Sequence, residues 1–289
     1  MNSTSDKHIA IAQDQPIRLQ EYGVGIFKII TSKSALKKVL KKNLIYVNDQ
    51  VATTATMIYG GEIITLYRPI ENQNNRAFIL PLEVIFEDDY LAIIHKPAGI
   101  LISGNTFKTI SSALVQNLAK STQEDATAPK SIHRLDFPTT GTLLVGKTST
   151  SISALSALFE TKKISKTYFA VTIGKMGKGK DISLPVDGKS AISTVEIIST
   201  IASERFGLLN LVRLTPKTGR RHQLRKHLSA LGNPILGDVD YGIEGLILKG
   251  KGLYLHAFSL EFIHPNTKKK IYVEKNLPKK FIKLFGIKF

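Results

Sequence analysis

Apolar positions fall in short blocks along the chain, and their spacing changes from block to block. The first fifteen residues are polar, which predicts a poorly ordered start. A compact unit is expected over residues 17–70. Within it Leu36, Val39 and Leu40 recur at helical spacing, and Ser32 or Ser34 can cap that helix. The polar face of the helix is lysine: Lys33, Lys37, Lys38, Lys41 and Lys42. Residues 44–47 then predict a strand, Asn48-Asp49 a turn, Gly60-Gly61 a second turn, and residues 62–66 another strand.

Residues 71–76 are polar and asparagine-rich, the best linker candidate, and a second unit is expected over residues 77–289. Residues 84–89 and 91–94 read as strands around an acidic turn. Residues 109–120 are periodic and predict a helix, 121–130 a polar loop, and 151–161 a helix with Ile152, Leu155 and Leu158 on one face. The run Leu143-Leu144-Val145 predicts a buried strand. Further strands are expected at 167–173, 193–200, 208–214, 254–262 and 270–273. Strands in successive runs between separated helices argue an α+β fold: a mixed, mostly antiparallel central sheet flanked by helices, with a small N-terminal α+β unit.

Charge changes the picture. Forty Lys and Arg face 23 Asp and Glu, a formal charge of +17. Such a field favours a polyanion, of which nucleic acid is the usual one. A solvated face is the plain alternative for the lysine helix, but no acid interleaves the run from Lys37 to Lys42, which favours phosphate contact. The chain has no Cys, which removes disulfides, thiolate metal sites and a Cys nucleophile. It shows no apolar signal core and no apolar run near ~18 residues, so no membrane association is expected. A cytoplasmic monomer is the expectation.

Three stretches carry candidate chemistry. In the first, Asp136 lies two residues from Arg134, and Phe137-Pro138-Thr139-Thr140-Gly141 breaks any helix before the run at 143–145. Asp136 is therefore expected on a loop feeding a central strand; a solvated turn with an incidental ion pair is the bland alternative. In the second, residues 215–228, a helix is expected to open near Arg220, with Leu224, Leu228 and Leu231 facing the core. Arg225, one step of about 100° from Leu224, lies at the border of that face and needs an anion, for which Asp136 is the candidate. Arg220, Arg221 and Lys226 fit phosphate contact better. In the third, Lys166, Tyr168 and Ala170 share one strand face, and Tyr168 offers a ring for stacking and a hydroxyl for a proton; a Tyr packed in a sheet is the alternative. His133, His222, His227 and His256 fit no standard zinc spacing, so no metal is expected.

Together these stretches resemble the RluA-type family of RNA pseudouridine synthases. The family's His-Arg-Leu-Asp-x-x-Thr-Ser/Thr-Gly is His133 to Gly141, its Lys-x-Tyr-x-Ala is Lys166 to Ala170, and its Thr-Gly-Arg-x-His-Gln-Leu/Ile-Arg-x-His is Thr218 to His227. Asp187-Gly188-Lys189-x-Ala191 and Asn233 to Asp238 continue the pattern. Residues 17–70 resemble an S-four-type RNA-binding domain, through the basic helix, Val47-Asn48 and Gly61-Glu62-Ile63, although its usual arginines are lysines here and its Arg-Leu-Asp is Arg18-Leu19-Gln20. The resemblance implies the pseudouridine synthase fold and an enzyme that detaches uracil from ribose, turns it and rejoins it through carbon 5, without cofactor. It implies that Asp136 is the catalytic carboxylate, as ribose nucleophile or as base. Arg225 would hold that acid charged, Tyr168 would stack on the uracil and take the carbon-5 proton, and Arg134 would fill the gap left by the flipped base. Leu224, His133 and Arg220 would line the substrate site, and Lys37, Lys38, Lys41, Lys42 and Arg221 would hold RNA. Ribosomal RNA is the favoured substrate and transfer RNA the second. A non-catalytic RNA-binding protein of the same fold and an RNA-directed glycosylase are the competing readings.

Overall fold

The computed structural model describes residues 3–69, 78–177, 179–248 and 250–286. The expected linker at 71–76 lies outside the described residues.

The N-terminal part builds β1 (Ser3–Ile9), β2 (Ile17–Arg18), α1 (Leu19–Tyr22), α2 (Lys33–Lys41), β3 (Ile45–Val47), β4 (Gln50–Val51), β5 (Met57–Ile58) and β6 (Ile63–Pro69). One sheet has the order β1-β6-β3-β4, and β2 pairs with β5 beside it. Helix α2 starts where the sequence places its cap: the Ala35 N–H donates to Ser32 Oγ at 3.2 Å. Leu36 and Leu40 are buried, and Lys37, Lys38, Lys41 and Lys42 are all exposed. Asn48 and Asp49 adopt φ of 47° and 63°, the left-handed pair that closes a two-residue hairpin between β3 and β4. The first residues depart from expectation. Ser3–Ile9 is not loose chain but an edge strand, paired antiparallel with β6 from Ser3↔Pro69 to Ile9↔Ile63. Backbone hydrogen bonds hold such a strand, so its polar side chains carry no hydropathy signal.

The larger part comprises β7 (Val84–Glu87), β8 (Leu91–Lys96), α3 (Ile110–Asn117), β9 (Ala126–Ser131), β10 (Thr140–Thr148), α4 (Ser149–Glu160), β11 (Ser165–Ile173), β12 (Lys180–Ile182), β13 (Ser193–Ser203), β14 (Gly207–Pro216), α5 (Gln223–Ala230), β15 (Leu255–Ile263), β16 (Lys270–Glu274) and α6 (Lys279–Phe285). The sheet runs β12-β13-β14-β11-β15-β10-β8-β7, with β9 on β10 and β16 on β15. Its named strands pair antiparallel except β10 with β15, which meet in parallel through Thr140↔His256 and Gly141↔Ala257. Leu143, Leu144 and Val145 are fully buried. Leu143 and Val145 join the core cluster under α3, whereas Leu144 joins the one under α4, as strand alternation requires. Two expectations are corrected. Residues 121–130 are not all loop, because β9 pairs at the edge of β10 with a weakly apolar sequence. Helix α5 opens at Gln223 rather than Arg220, because His222 before it is left-handed, with φ 56° and ψ 24°. Among the described residues no helix is long and apolar enough to cross a membrane.

Candidate active site

The loop carrying Asp136 is tied down from below. Lys96, the fully buried last residue of β8, donates through Nζ to the carbonyls of Pro97 at 2.9 Å, Phe137 at 3.2 Å and Thr139 at 2.9 Å. The Thr139 N–H donates to the Asp136 carbonyl at 3.0 Å and closes the turn. Burial pushes the Lys96 ammonium down to about 8, against the charge of Asp136, which raises it. After the turn the chain must pass close to β15. Gly141 has φ 122°, and a Cβ there would sit 2.1 Å from the Ala257 carbonyl oxygen. Only glycine fits the entry to β10. The result is a carboxylate on a rigid loop, with its side chain 15% exposed.

Helix α5 brings the counter-charges. Arg225 Nη1 lies 3.7 Å from Asp136 Oδ2, and His222 Nε2 lies 3.7 Å from Asp136 Oδ1. Asp136 is not, however, the main anion for Arg225, as the sequence suggested. The guanidinium is clasped by Asp238, with Nε to Oδ2 at 2.7 Å and Nη2 to Oδ1 at 2.6 Å, and Nη2 also donates to Asp240 Oδ2 at 2.7 Å. Burial alone would lower the Arg225 pKa, but these carboxylates outweigh it and raise it. The cation is thus permanent, pre-oriented by Asp238 and left with one face toward Asp136. Gln223 locks the start of the helix: its Oε1 accepts from Thr218 Oγ1 at 2.7 Å and from the Arg220 N–H at 3.0 Å, and its Nε2 donates to the Ile192 carbonyl at 2.9 Å.

Tyr168 stands on β11, just past a register shift between Thr167 and Tyr168 that re-aims the strand. Burial first, and then the charge of Asp136, raise its phenol pKa well above the usual value, so the hydroxyl keeps its proton at neutral pH. Asp136, Tyr168, Arg225, Leu224, Arg134, His133, Arg220 and Arg221 all line one cleft of about 520 Å³. Arg134 is exposed and makes no ion pair among the described residues, so the turn holds no Arg134–Asp136 pair. His133 sits in the wall with its chemistry committed: Nε2 accepts from the Leu144 N–H at 3.0 Å, and its ring stacks on Phe159 at 4.7 Å. Burial, helped by Lys166, pushes it down to about 3. Lys37, Lys38 and Lys41 on α2 and Lys42 at its C-cap are outside this cleft, on the N-terminal unit.

Sequence reasoning missed several residues here. Asp238 was visible as the Gly237-Asp238 pair, thirteen positions past an arginine that needs an anion, yet nothing in the spacing set it above Asp136. His222, Tyr241, Lys96 and Thr139 left no periodic signal. Thr139 Oγ1 is buried in the cleft wall without a hydrogen-bond partner among the described residues. Among the described residues no group of three or more His, Asp or Glu could hold a metal.

The family model described as RNA pseudouridylate synthase matches residues 90–230. A ribosomal large subunit pseudouridine synthase D of Vibrio cholerae is 31% identical over 281 residues, covering 88% of this chain and 86% of the relative. A ribosomal large subunit pseudouridine synthase C of Rickettsia felis is 30% identical over 292 residues, covering 90% and 93%. Among solved structures, human RNA pseudouridylate synthase domain containing 1 superposes with a TM-score of 0.57 at 23% identity, over 68% of this chain and 84% of that one. That likeness speaks to the fold.

Proposed function

Because the chain belongs to the RluA-type family of RNA pseudouridine synthases, we propose that it isomerises uridines of ribosomal RNA to pseudouridine at the cleft holding Asp136. It is an isomerase acting on RNA. Relatives named for the ribosomal large subunit favour that RNA over transfer RNA. A non-catalytic RNA-binding role is not favoured, since it has no use for a carboxylate held between Arg225 and a buried phenol.

The observation that carries the reading is the convergence of Asp136, Arg225 and Tyr168 in one cleft. A carboxylate leaving water tends to take a proton, and a permanent cation opposes this. Arg225, itself neutralised by Asp238, supplies the cation without being able to lose its proton. Asp136, 3.7 Å from that cation, is placed to act on the ribose as nucleophile or base. The uracil must leave the helix to turn, at a few kcal/mol of unstacking. Tyr168 gives the freed ring a face to stack on, with Leu224 beside it. Because its phenol is kept protonated, Tyr168 relays the carbon-5 proton only if it passes its own proton on in the same step. The exposed Arg134, which lines the cleft and makes no ion pair among the described residues, stacks into the vacated position. Arg220 and Arg221 on the cleft, and Lys37, Lys38, Lys41 and Lys42 on α2, hold phosphates. Residues 17–70 act as an S-four-type RNA-binding domain and 77–289 as the catalytic domain of a cytoplasmic monomer.

Asp136→Asn should abolish turnover, read by chemical labelling of pseudouridine at unchanged RNA mass, while RNA affinity stays within about fivefold. Full activity in that variant would sink the assignment. Release of free uracil by the wild type would mark a glycosylase instead.

A further inference from the structure

His222 is held in a left-handed conformation, φ 56°, that a non-glycine residue adopts rarely and usually for a reason. That conformation turns the imidazole into the cleft, where its two nitrogens meet different partners. Nδ1 lies 2.9 Å from the Tyr241 hydroxyl, and Nε2 faces Asp136 Oδ1 at 3.7 Å. The rings of His222 and Tyr241 meet edge to face, at 5.7 Å and 78°. The Arg225 guanidinium lies over the Tyr241 ring at 4.9 Å. Tyr241 is placed by the same carboxylate that places Arg225, since its N–H donates to Asp238 Oδ1 at 3.1 Å. One buried acid, Asp238, thus holds both the Arg225 guanidinium and the Tyr241 backbone.

A neutral imidazole carries one proton, and its partners decide where. A carboxylate facing Nε2 demands a donor there, so Nδ1 must accept, and the Tyr241 hydroxyl donates to it. We propose that Tyr241 and His222 form a hydrogen-bonded relay that keeps the proton on His222 Nε2 and tethers Asp136 Oδ1. Oδ2, on the Arg225 side, is then the oxygen presented to the ribose. The 3.7 Å gap closes when the nucleotide enters, as such contacts commonly tighten only in the substrate complex. His222 and Tyr241 are positioning residues: they act through Asp136. This rests on Asp136 being the catalytic acid.

The groups facing His222 are Asp136, Arg225, Arg221 and Asp240, with Asp187 beyond them and Tyr241 at Nδ1. Asp136 is also faced by Lys96 and Tyr168. Removing the Nε2–H donor leaves Asp136 Oδ1 without its tether, so the carboxylate no longer holds Oδ2 toward the ribose.

Steady-state kinetics on ribosomal RNA test this, with two variants and Asp136→Asn as the control. Tyr241→Phe keeps the ring over Arg225 and removes only the hydroxyl. It should lower kcat about tenfold and keep KM within about twofold. His222→Asn, which tolerates the left-handed backbone, should lower kcat further. Nitrogen-15 spectra of the imidazole should show Nε2 protonated in the wild type and mixed tautomers in Tyr241→Phe. Wild-type kcat in both variants, or Nδ1 protonated in the wild type, overturns the relay. An active Asp136→Asn fails the underlying assignment instead, so the two failures are distinct. If His222→Asn does not fold, Tyr241→Phe and the spectra decide alone.

Discussion

At the scale of single residues, the site depends on a buried acid that does no chemistry. Asp238 is fully buried against Arg225, and its Oδ1 also accepts from the Asp240 and Tyr241 backbone N–H groups at 3.1 Å each. Breaking one partner of such a pair leaves an uncompensated charge inside the protein. Asp238→Asn should therefore destabilise the fold by about 3 kcal/mol, measured by denaturant unfolding. It should also reduce turnover in the folded fraction, because Arg225 would be held by Asp240 alone and could turn toward Asp136. A variant with wild-type stability and rate would show that Arg225 needs no second acid. The sequence made the demand for an anion legible at Arg225 but could not say which acid meets it. Thirteen residues and a turn through Gly237 separate the two, and only the closed fold brings them to 2.6 Å.

At the scale of elements, α2 separates folding from binding on its two faces. Leu36 and Leu40 are buried in the N-terminal core, and Ser32 caps the first turn. Lys37, Lys38, Lys41 and Lys42 make no ion pair among the described residues, so they contribute nothing visible to the fold. Replacing all four by Gln should leave thermal unfolding within a few degrees. It should weaken RNA binding and flatten the plot of log affinity against log salt by up to about three charges, at roughly 0.7–0.9 per phosphate contact. An unchanged slope would assign the lysines to a solvated face. This helix, its cap and its charged face were legible in the sequence because helical periodicity is local. Edge strands β1 and β9 were not, because their partners β6 and β10 lie elsewhere in the chain and backbone bonds do the holding.

At the scale of the whole molecule, the N-terminal core is built between Ala10 and Leu66 from its own residues. Contacts onto the larger part include the ion pair of Lys28 with Glu124 and a Ser149 hydroxyl donating to the Ile29 carbonyl at 3.4 Å. Deleting residues 1–70 should leave a cooperatively folding remainder with weaker RNA binding and a shallower salt slope; loss of cooperative unfolding would show one inseparable body. Acid should unfold the intact chain. Burial holds His133 down to about 3 and His256 down to about 4, below the ordinary 6.5 of the unfolded chain. His256 is fixed as acceptor and donor, its Nδ1 taking the Thr140 hydroxyl at 2.7 Å and its Nε2 donating to the Lys275 carbonyl at 3.1 Å. Between these values the unfolded state binds more protons than the folded one. Stability is therefore whole above pH 6.5 and falls as the pH drops toward 4, by about 1.4 kcal/mol per pH unit for each histidine. Denaturation midpoints from pH 7 to 4 check this, and His256→Gln should flatten the slope.

What the chain's order of residues determined alone was whatever rests on near neighbours: helix α2 and its cap, the Asn48-Asp49 turn, the buried run at 143–145 and the short motifs bearing Asp136, Tyr168 and Arg225. Only the tertiary structure decided which acid holds Arg225, that Lys96 pins the Asp136 loop from beneath, and that a left-handed His222 faces the carboxylate. Periodicity reports the face a residue takes within its own element. Which charges meet across elements is set by sheet order and register, which bring residues a hundred positions apart, such as Thr140 and His256, into hydrogen-bonding distance.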